Sequence, residues 1–492
     1  FISGADAGSV YVVEGDDADP ARRNLRFKTS QNDSIAYESR EFTLPVSNRS
    51  MAGAVALSRE PINIADVYEL PPGTPFQFDR SFDLRMGYRS KSMLVVPMVS
   101  SKGMTIGVLQ LINKKREPKA KLTPETTEAL VVPFDERSQE LLLTLSAQAA
   151  IAMENAVLYD EINKIFAGFV TASVEAIEQR DPTTSGHSRR VATLTVGLAE
   201  VVDREVTGPY ADAHFGESDL REVEIASLLH DFGKIGVREE VLVKAKKLFD
   251  WQLQSIRQRI AFALKSHEAD VLSRRCRALE RGGGVEDLRG LEEELTARRA
   301  ELDHAWQAVL ASNEPTVLKS TDFRAVEALA RETYVDLEGV ARPLLTADEL
   351  QSLSIPRGSL TTLEIDEIRS HVVHTHNFLR QIPWGRAFRR IPTIAGCHHE
   401  KLNGSGYPSR LRAEEIPLQS KMMSIADIFD ALTASDRPYK RAVPVDRALD
   451  ILGYEVKDGA LDAELFRMFR EARLWSRLDL DMPAMSRRLA LA

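Results

Sequence analysis

The side chains with the most chemistry per residue sit at Leu228-Leu229-His230-Asp231-Phe232-Gly233-Lys234-Ile235, where a histidine and an aspartate follow an apolar run. An aspartate beside a histidine at a helix end can lend one carboxylate oxygen to each of two cations while the neutral imidazole holds one of them. Gly233 then lets the backbone turn, and Lys234 carries positive charge back toward the site. A His-Asp pair alone is common and more often marks a solvated helix end than a ligand pair. This one has company: His187 upstream, then His371, His398-His399 and Asp427, so five of the ten histidines are available to one cluster. Neutral imidazoles with carboxylates suit iron, manganese or zinc better than magnesium.

The elements that must carry these residues read as helices. Val191, Leu194, Val196 and Leu198 follow His187 with helical periodicity, and Ile225, Leu228 and Leu229 lead into His230. Asp181 can cap, and Pro182 suits a first turn. Leu360 to His371 reads as a capped helix, with His374 one turn further on the same face and His376 elsewhere. The pair His398-His399 is followed by Glu400 and the loop Asn403-Gly404-Ser405-Gly406-Tyr407-Pro408, which lets a substrate approach the backbone closely, with Tyr407 as a rigid wall. Ile425 to Leu432 is the last helix of the site, and Arg437-Pro438-Tyr439-Lys440 comes after it.

Between about 249 and 359 the composition turns to Arg, Glu, Leu and Ala, broken by Gly282-Gly283-Gly284. This predicts a helical insertion, a hairpin, packed through Trp251, Trp306 and Tyr334, with no chemistry of its own. Upstream, residues 137–180 contain no Pro and one Gly, which predicts a long helix. Leu142, Ala149, Ala156, Val170 and Ile177 fall in one seam, Leu145, Ala152, Tyr159 and Phe166 in the other, and Asn163 completes the first as a buried polar residue. That pattern fits a parallel two-stranded coil and hence a homodimer.

Before it, residues 1–136 show strand-length apolar runs at Ser9–Val13, Met93–Met98 and Ile106–Ile112, a short helix at Met51–Ala56 and a long loop from Pro71 to Arg89. Gly87-Tyr88-Arg89, Ser92 to Pro97 and Gly107 to Lys114 resemble a GAF domain, a small sensory module with an antiparallel sheet. Asn113-Lys114 with Phe134-Asp135-Glu136 is similar to the signature of cyclic-nucleotide-binding GAF domains; the alternative is a Lys-Asp pair that closes the fold. The ligand of this domain is unknown from sequence.

Composition bounds the rest. A chain of 492 residues, 43% apolar and 28% charged, predicts a soluble protein of about three domains. It has no run of about eighteen uncharged apolar residues, so no membrane span is expected. Two cysteines, Cys276 and Cys397, fit a reducing compartment, and the cytoplasm is the expected location. The net charge of −9 speaks against binding a nucleic-acid polymer. Phe1-Ile2-Ser3-Gly4 reads as the start of a piece cut from a longer chain.

His230-Asp231, Gly233-Lys234, His398-His399-Glu400, Gly406-Tyr407-Pro408, Ala426-Asp427 and Arg437 to Lys440 together resemble the HD-GYP family, a bacterial branch of the HD-domain metal phosphohydrolases. The resemblance implies a multidomain chain: an α+β GAF domain at 1–136, a connecting helix at 137–180, and an all-α HD-GYP domain at 181–479 interrupted by the insertion. It implies two iron or manganese ions. His187, His230, Asp231 and Asp427 would hold one, and Asp231 would bridge to a second held by His371, His398 and His399. Lys234 would face the scissile phosphate, Asp427 would also orient the attacking hydroxide, and Gly406, Tyr407, Pro408, Arg437 and Lys440 would contact substrate. The implied reaction is hydrolysis of cyclic di-GMP to linear pGpG and GMP, regulated by the GAF domain. Thr183 stands where three-metal members of the family have glutamate, which favours two ions, and Asn403 replaces the usual Asp. His267 is a rival to His371, but only the text around His371 matches. An HD phosphohydrolase for another nucleotide, and a non-catalytic module acting through a protein partner, are the alternative readings.

Overall fold

A computed structural model describes residues 3–15, 22–36, 40–181, 185–282, 284–316, 320–434 and 442–478. It divides into two compact units, Phe1–Lys164 and Ile165–Ala492.

In the first unit the described strands are β1 (Ala5–Glu14), β2 (Asn24–Asn32), β3 (Phe42–Pro45), β4 (Ile62–Ile64), β5 (Met93–Val99), β6 (Thr105–Lys115) and β7 (Val131–Val132). They form one antiparallel sheet in the order β3-β2-β1-β6-β5-β4, with β7 paired to the end of β6. The central strands read as unbroken apolar runs because both faces are covered. Met93, Val95 and Val108 join a core with the helix Met51–Ser58, while Leu94 and Val96 join another with Phe134 and Leu142. Sequence reading missed β2, which is largely polar with only Leu25 and Phe27 buried, and β3, which is only four residues long and mostly exposed. The expected loop from Pro71 to Arg89 contains a six-residue helix, Ser81–Met86, too short to show periodicity. Its Asp83 is buried because it accepts hydrogen bonds from Tyr68 Oη, Ser90 N and Ser90 Oγ. Lys114 Nζ pairs with Asp135 Oδ1 at 2.8 Å, which is the Lys-Asp pair of the alternative reading.

The helix Glu136–Arg180 runs for 45 residues, about 68 Å. Among the described residues it is the one helix long and apolar enough, by length and composition, to cross a membrane. Leu145, Ile151, Val157, Leu158, Tyr159, Ile162 and Ile165 are exposed along it.

The second unit is helical. His187–Asp203, Glu217–Leu228, Thr362–Leu379, Ile391–Gly396, Leu418–Thr433, Val445–Lys457 and Ala463–Glu471 surround or flank one core that includes Leu194, Leu198, Ile225, Met422, Ile425, Phe429 and Phe469. Burying each such side chain contributes about 1.5–3 kcal/mol, which makes this core a rigid frame for polar groups at its edge. The insertion has a separate core: Asp250–Glu280 and Val285–Asn313 pack with Ser320–Arg331 and Ala347–Leu353 around Ile256, Leu302, Val309, Val326 and Leu353. Trp306 and Tyr334 pack against it, but Trp251 is 62% exposed and stacks on Phe249 outside that core. The insertion is not purely helical, since Thr333–Val335 and Ala341–Pro343 form a small antiparallel hairpin.

Candidate metal centre

The helix Glu217–Leu228 ends at Leu229, and the next two residues are His230 and Asp231, both buried. A 3-10 turn, Phe232–Gly236, follows. Gly233 is needed here for close approach and not, as expected, for a turn: a Cβ on it would lie 1.9 Å from the His371 carbonyl oxygen and 2.4 Å from Thr375 N. That approach lays the Thr362–Leu379 helix against the turn and brings His371 to Asp231. Thr375 stitches the two together, with its hydroxyl accepting from Gly233 N at 2.8 Å and donating to the His230 carbonyl at 2.9 Å. The same helix starts with a capping box between Thr361 and Glu364. Ser424 Oγ donates to the His398 carbonyl at 2.6 Å, which ties the His398-His399 corner to the helix that carries Asp427.

All seven residues expected as ligands converge. Their nitrogens and oxygens fall into three overlapping groups, each within 4.8 Å: His187, His230 and Asp427; His371, His398 and His399; and His230, Asp231 and His398. Asp231 faces both sides. Its Oδ1 lies 3.2 Å from His371 Nε2, and its Oδ2 lies 3.6 Å from His230 Nε2 and 3.8 Å from His187 Nε2. Asp427 Oδ1 stands 3.2 Å from His187 Nε2, and its Oδ2 stands 3.8 Å from His399 Nδ1.

The ring nitrogens fit a metal. His230 Nδ1 bonds the Ser227 carbonyl at 2.7 Å, His371 Nδ1 that of Ile368 at 2.6 Å, and His398 Nδ1 that of Ala395 at 2.6 Å. A carbonyl only accepts, so each Nδ1 carries the proton and each Nε2 presents a lone pair. Those three Nε2 atoms are buried without a hydrogen-bond partner. Leaving a buried acceptor unpaired costs about 1–3 kcal/mol, and three pointing into one cluster is the arrangement a cation would satisfy.

Electrostatics divides the site. Burial lowers the pKa of His230, drives that of His398 far down and holds His399 down to about 4, which keeps these imidazoles neutral. His187 differs: burial works against its charge, but hydrogen bonds with Asp427 and Asp430 push it up to about 9. Burial also opposes charge on Asp231, yet Lys234 and the neighbouring imidazoles hold its carboxyl well below the usual range. Asp427 is likewise lowered against burial, by His187 and then His399.

Several contributors were not visible as such in the sequence. Asp430, one turn after Asp427, accepts from His187 Nδ1 at 2.8 Å and from Arg190 Nε at 2.6 Å. Asp181, expected as a helix cap, instead binds Lys234 Nζ at 3.0 Å, while Lys234 reaches Asp231 Oδ2 at 2.8 Å; Gly186 is the N-cap of the next helix. Glu400 accepts from Ser409 N at 2.6 Å and Leu411 N at 2.9 Å and so shapes the loop around Tyr407. Gly406 is required where it stands, since a Cβ would lie 2.3 Å from Lys401 N. Tyr407 packs on His399 with ring centroids 4.8 Å apart.

Other candidates are elsewhere. His267 sits in the insertion beside Glu294, 3.4 Å away, and His376 Nδ1 bonds the Pro392 carbonyl. His374 packs over Gly236 and joins none of the three groups. Arg437, Pro438, Tyr439, Lys440 and Thr183 lie outside the described residues.

Comparison with known proteins agrees with this layout. A GAF domain family model matches residues 2–153, and two HD domain models match 184–300 and 346–465. The chain joins a GAF domain to an HD domain. This GAF–HD protein is 37% identical over 115 residues to the 3'3'-cGAMP-specific phosphodiesterase 3 of Vibrio cholerae, covering 23% of this chain and 24% of that one. It is 28% identical over 251 residues to the cyclic di-GMP phosphodiesterase response regulator RpfG of Xanthomonas campestris pv. campestris, covering 48% and 60%. It is 48% identical over 137 residues to a cyclic di-GMP phosphodiesterase of Vibrio cholerae, covering 26% and 28%. The GAF–HD chain therefore spans between 24% and 60% of the length of these three relatives.

Proposed function

We propose that this GAF–HD protein is a metal-dependent phosphodiesterase that hydrolyses cyclic di-GMP to linear pGpG and then GMP. The observation that carries the reading is Asp231, whose two oxygens face different histidine groups, as a carboxylate shared by two cations must. The names of the relatives support the substrate class, since two act on cyclic di-GMP and one on 3'3'-cGAMP.

In this account His187, His230, Asp231 and Asp427 hold one divalent ion, and Asp231, His371, His398 and His399 hold the other, with iron or manganese favoured by the nitrogen-rich donor set. Such ions supply a water of lowered pKa and neutralise phosphoryl charge. The protein does the rest. Carbonyl-fixed imidazoles keep their lone pairs inward, so little reorganisation accompanies binding. Lys234, held between Asp231 and Asp181, sets a fixed positive charge beside the bridging carboxylate, where charge builds on the phosphoryl oxygens. Asp427 orients the attacking water, and Gly406, Tyr407 and Pro408 form a wall of the substrate pocket, with Arg437 and Lys440 as further phosphate contacts.

The GAF domain is the regulator in this reading. It contains a cavity of about 830 Å³ lined by Tyr11, Phe27, Arg49, Phe78 and Tyr88 among others, large enough for a small ligand. The exposed seam positions Leu145, Ala152, Ala156 and Tyr159 of Glu136–Arg180 are covered by a second copy of the chain, which gives a homodimer.

The test is product analysis. Protein reconstituted anaerobically with iron or manganese should convert cyclic di-GMP to pGpG, and His230→Ala and Asp231→Ala should each lower the rate at least about a hundredfold. Full activity in both variants would refute the assignment.

A further inference from the structure

Four of the five histidines of the metal centre have side chains no more than 4% exposed, whereas that of His399 is 28% exposed. The centre therefore opens on the His399 side. Tyr407 covers that opening from one edge, its ring tilted 30° to the His399 ring. Over the Tyr407 ring lies the guanidinium of Arg369, 5.2 Å from the centroid. Arg369 belongs to the same helix as His371, two residues earlier, so a rigid element positions both.

Arg369 is not committed to a strong ion pair. The neighbouring carboxylate of Glu367 is taken by Arg238 at 2.7 Å, and Arg369 has Asp366 at 3.5 Å, an exposed pair three residues apart on a helix. Such pairs contribute little. Cation–π contact keeps the guanidinium beside Tyr407, at the edge of the opening. A phosphodiester seated at the metal centre must send its nucleosides outward through this opening. A guanidinium fork matches the O6 and N7 acceptors of guanine in a bidentate pair, whereas adenine offers N7 beside an amino donor.

We propose that Arg369 is a specificity residue that reads a guanine base of the substrate, favouring guanine-containing over adenine-containing cyclic dinucleotides. This deepens the proposed function and rests on it. A contact to the second phosphate of the ring is the competing role for the same side chain, and it would not distinguish the bases.

Calorimetric titration of the metal-loaded full chain with hydrolysis-resistant phosphorothioate analogues of cyclic di-GMP and cyclic di-AMP decides the matter. Arg369→Met keeps an apolar stem on Tyr407 without donors, and Arg369→Lys keeps charge without the fork. Arg369→Met should weaken the cyclic di-GMP analogue by about 5- to 150-fold, the worth of one bidentate base contact, and Arg369→Lys, whose ammonium can still donate to O6 or N7, should weaken it less. Binding of the cyclic di-AMP analogue, at whatever strength the parent shows, should change by less than about twofold, and metal content should be unchanged. Equal weakening of both analogues would overturn the proposal in favour of a phosphate contact, and so would unchanged binding of cyclic di-GMP. If the parent protein bound neither analogue, the proposed function would fall and the base-reading role with it, an outcome distinct from the first two.

Discussion

Asp430 Oδ2 lies 2.8 Å from His187 Nδ1, and both side chains are buried. Arg190 grips the same carboxylate through Nε at 2.6 Å and Nη2 at 3.0 Å, so Asp430 is held from two directions and in turn holds the imidazole. Carboxylates that orient a ligating histidine typically contribute 10- to 100-fold to metal affinity. Asp430→Ala should therefore lower metal affinity by about that factor while circular dichroism stays that of a folded helical protein. Unchanged affinity would mean that His187 needs no such support.

Gly233→Ala tests the close approach that brings His371 to Asp231. The new Cβ would lie 1.9 Å from a backbone oxygen, which no side-chain rotation relieves. Overpacking of this kind costs about 1–3 kcal/mol, and here it should also separate the two halves of the metal site. Chemical denaturation together with metal analysis should show both losses. Thr375→Val, which removes the hydroxyl between Gly233 N and the His230 carbonyl, should destabilise the chain by about 1–3 kcal/mol in the same assay.

The long helix gives a prediction about assembly. Leu145 and Tyr159, both in the second seam, are exposed on a single chain. Sedimentation of the parent protein should report a dimer, and Leu145→Glu with Tyr159→Glu should shift it to monomer, because two charges would have to be buried at the seam. A monomeric parent at micromolar concentration would contradict the coiled pairing.

In the GAF domain, Asp33 accepts from Lys115 Nζ at 2.6 Å and Lys121 Nζ at 2.7 Å, and these hydrogen bonds bring its pKa down to about 2. A carboxylate with a depressed folded-state pKa stabilises the fold above its unfolded value, and that contribution disappears as pH falls from near 4 through about 2. Thermal unfolding of Asp33→Asn should accordingly show a shallower loss of stability than the parent over that interval. Identical slopes would show that the ion pairs do not outlast screening by solvent.

Much of the site was readable from the residue types themselves, because the chain has only ten histidines and two of the five in the site adjoin a carboxylate, His230 beside Asp231 and His399 beside Glu400. Their partners were harder to see. Asp430 is 243 residues from His187 and 240 from Arg190, and only folding brings them together. Thr375 carries no chemical signature; its role comes from the backbone it bridges. Gly233 was legible as necessary but for the wrong reason, since local sequence does not reveal a helix packing against it from 138 to 142 residues away. The central strands announced themselves through apolar runs, whereas β2, mostly polar, and β3, short and exposed, did not. The small hairpin in the insertion was hidden for the same reason, with strands of three residues each.

Metal stoichiometry tests the shared bridge most directly. Elemental analysis of anaerobically reconstituted protein should give two iron or manganese ions per chain, and Asp231→Ala should lose at least one of them together with turnover of cyclic di-GMP. A single ion per chain in the parent, or two ions retained without Asp231, would contradict an account in which that carboxylate joins the two halves of the site.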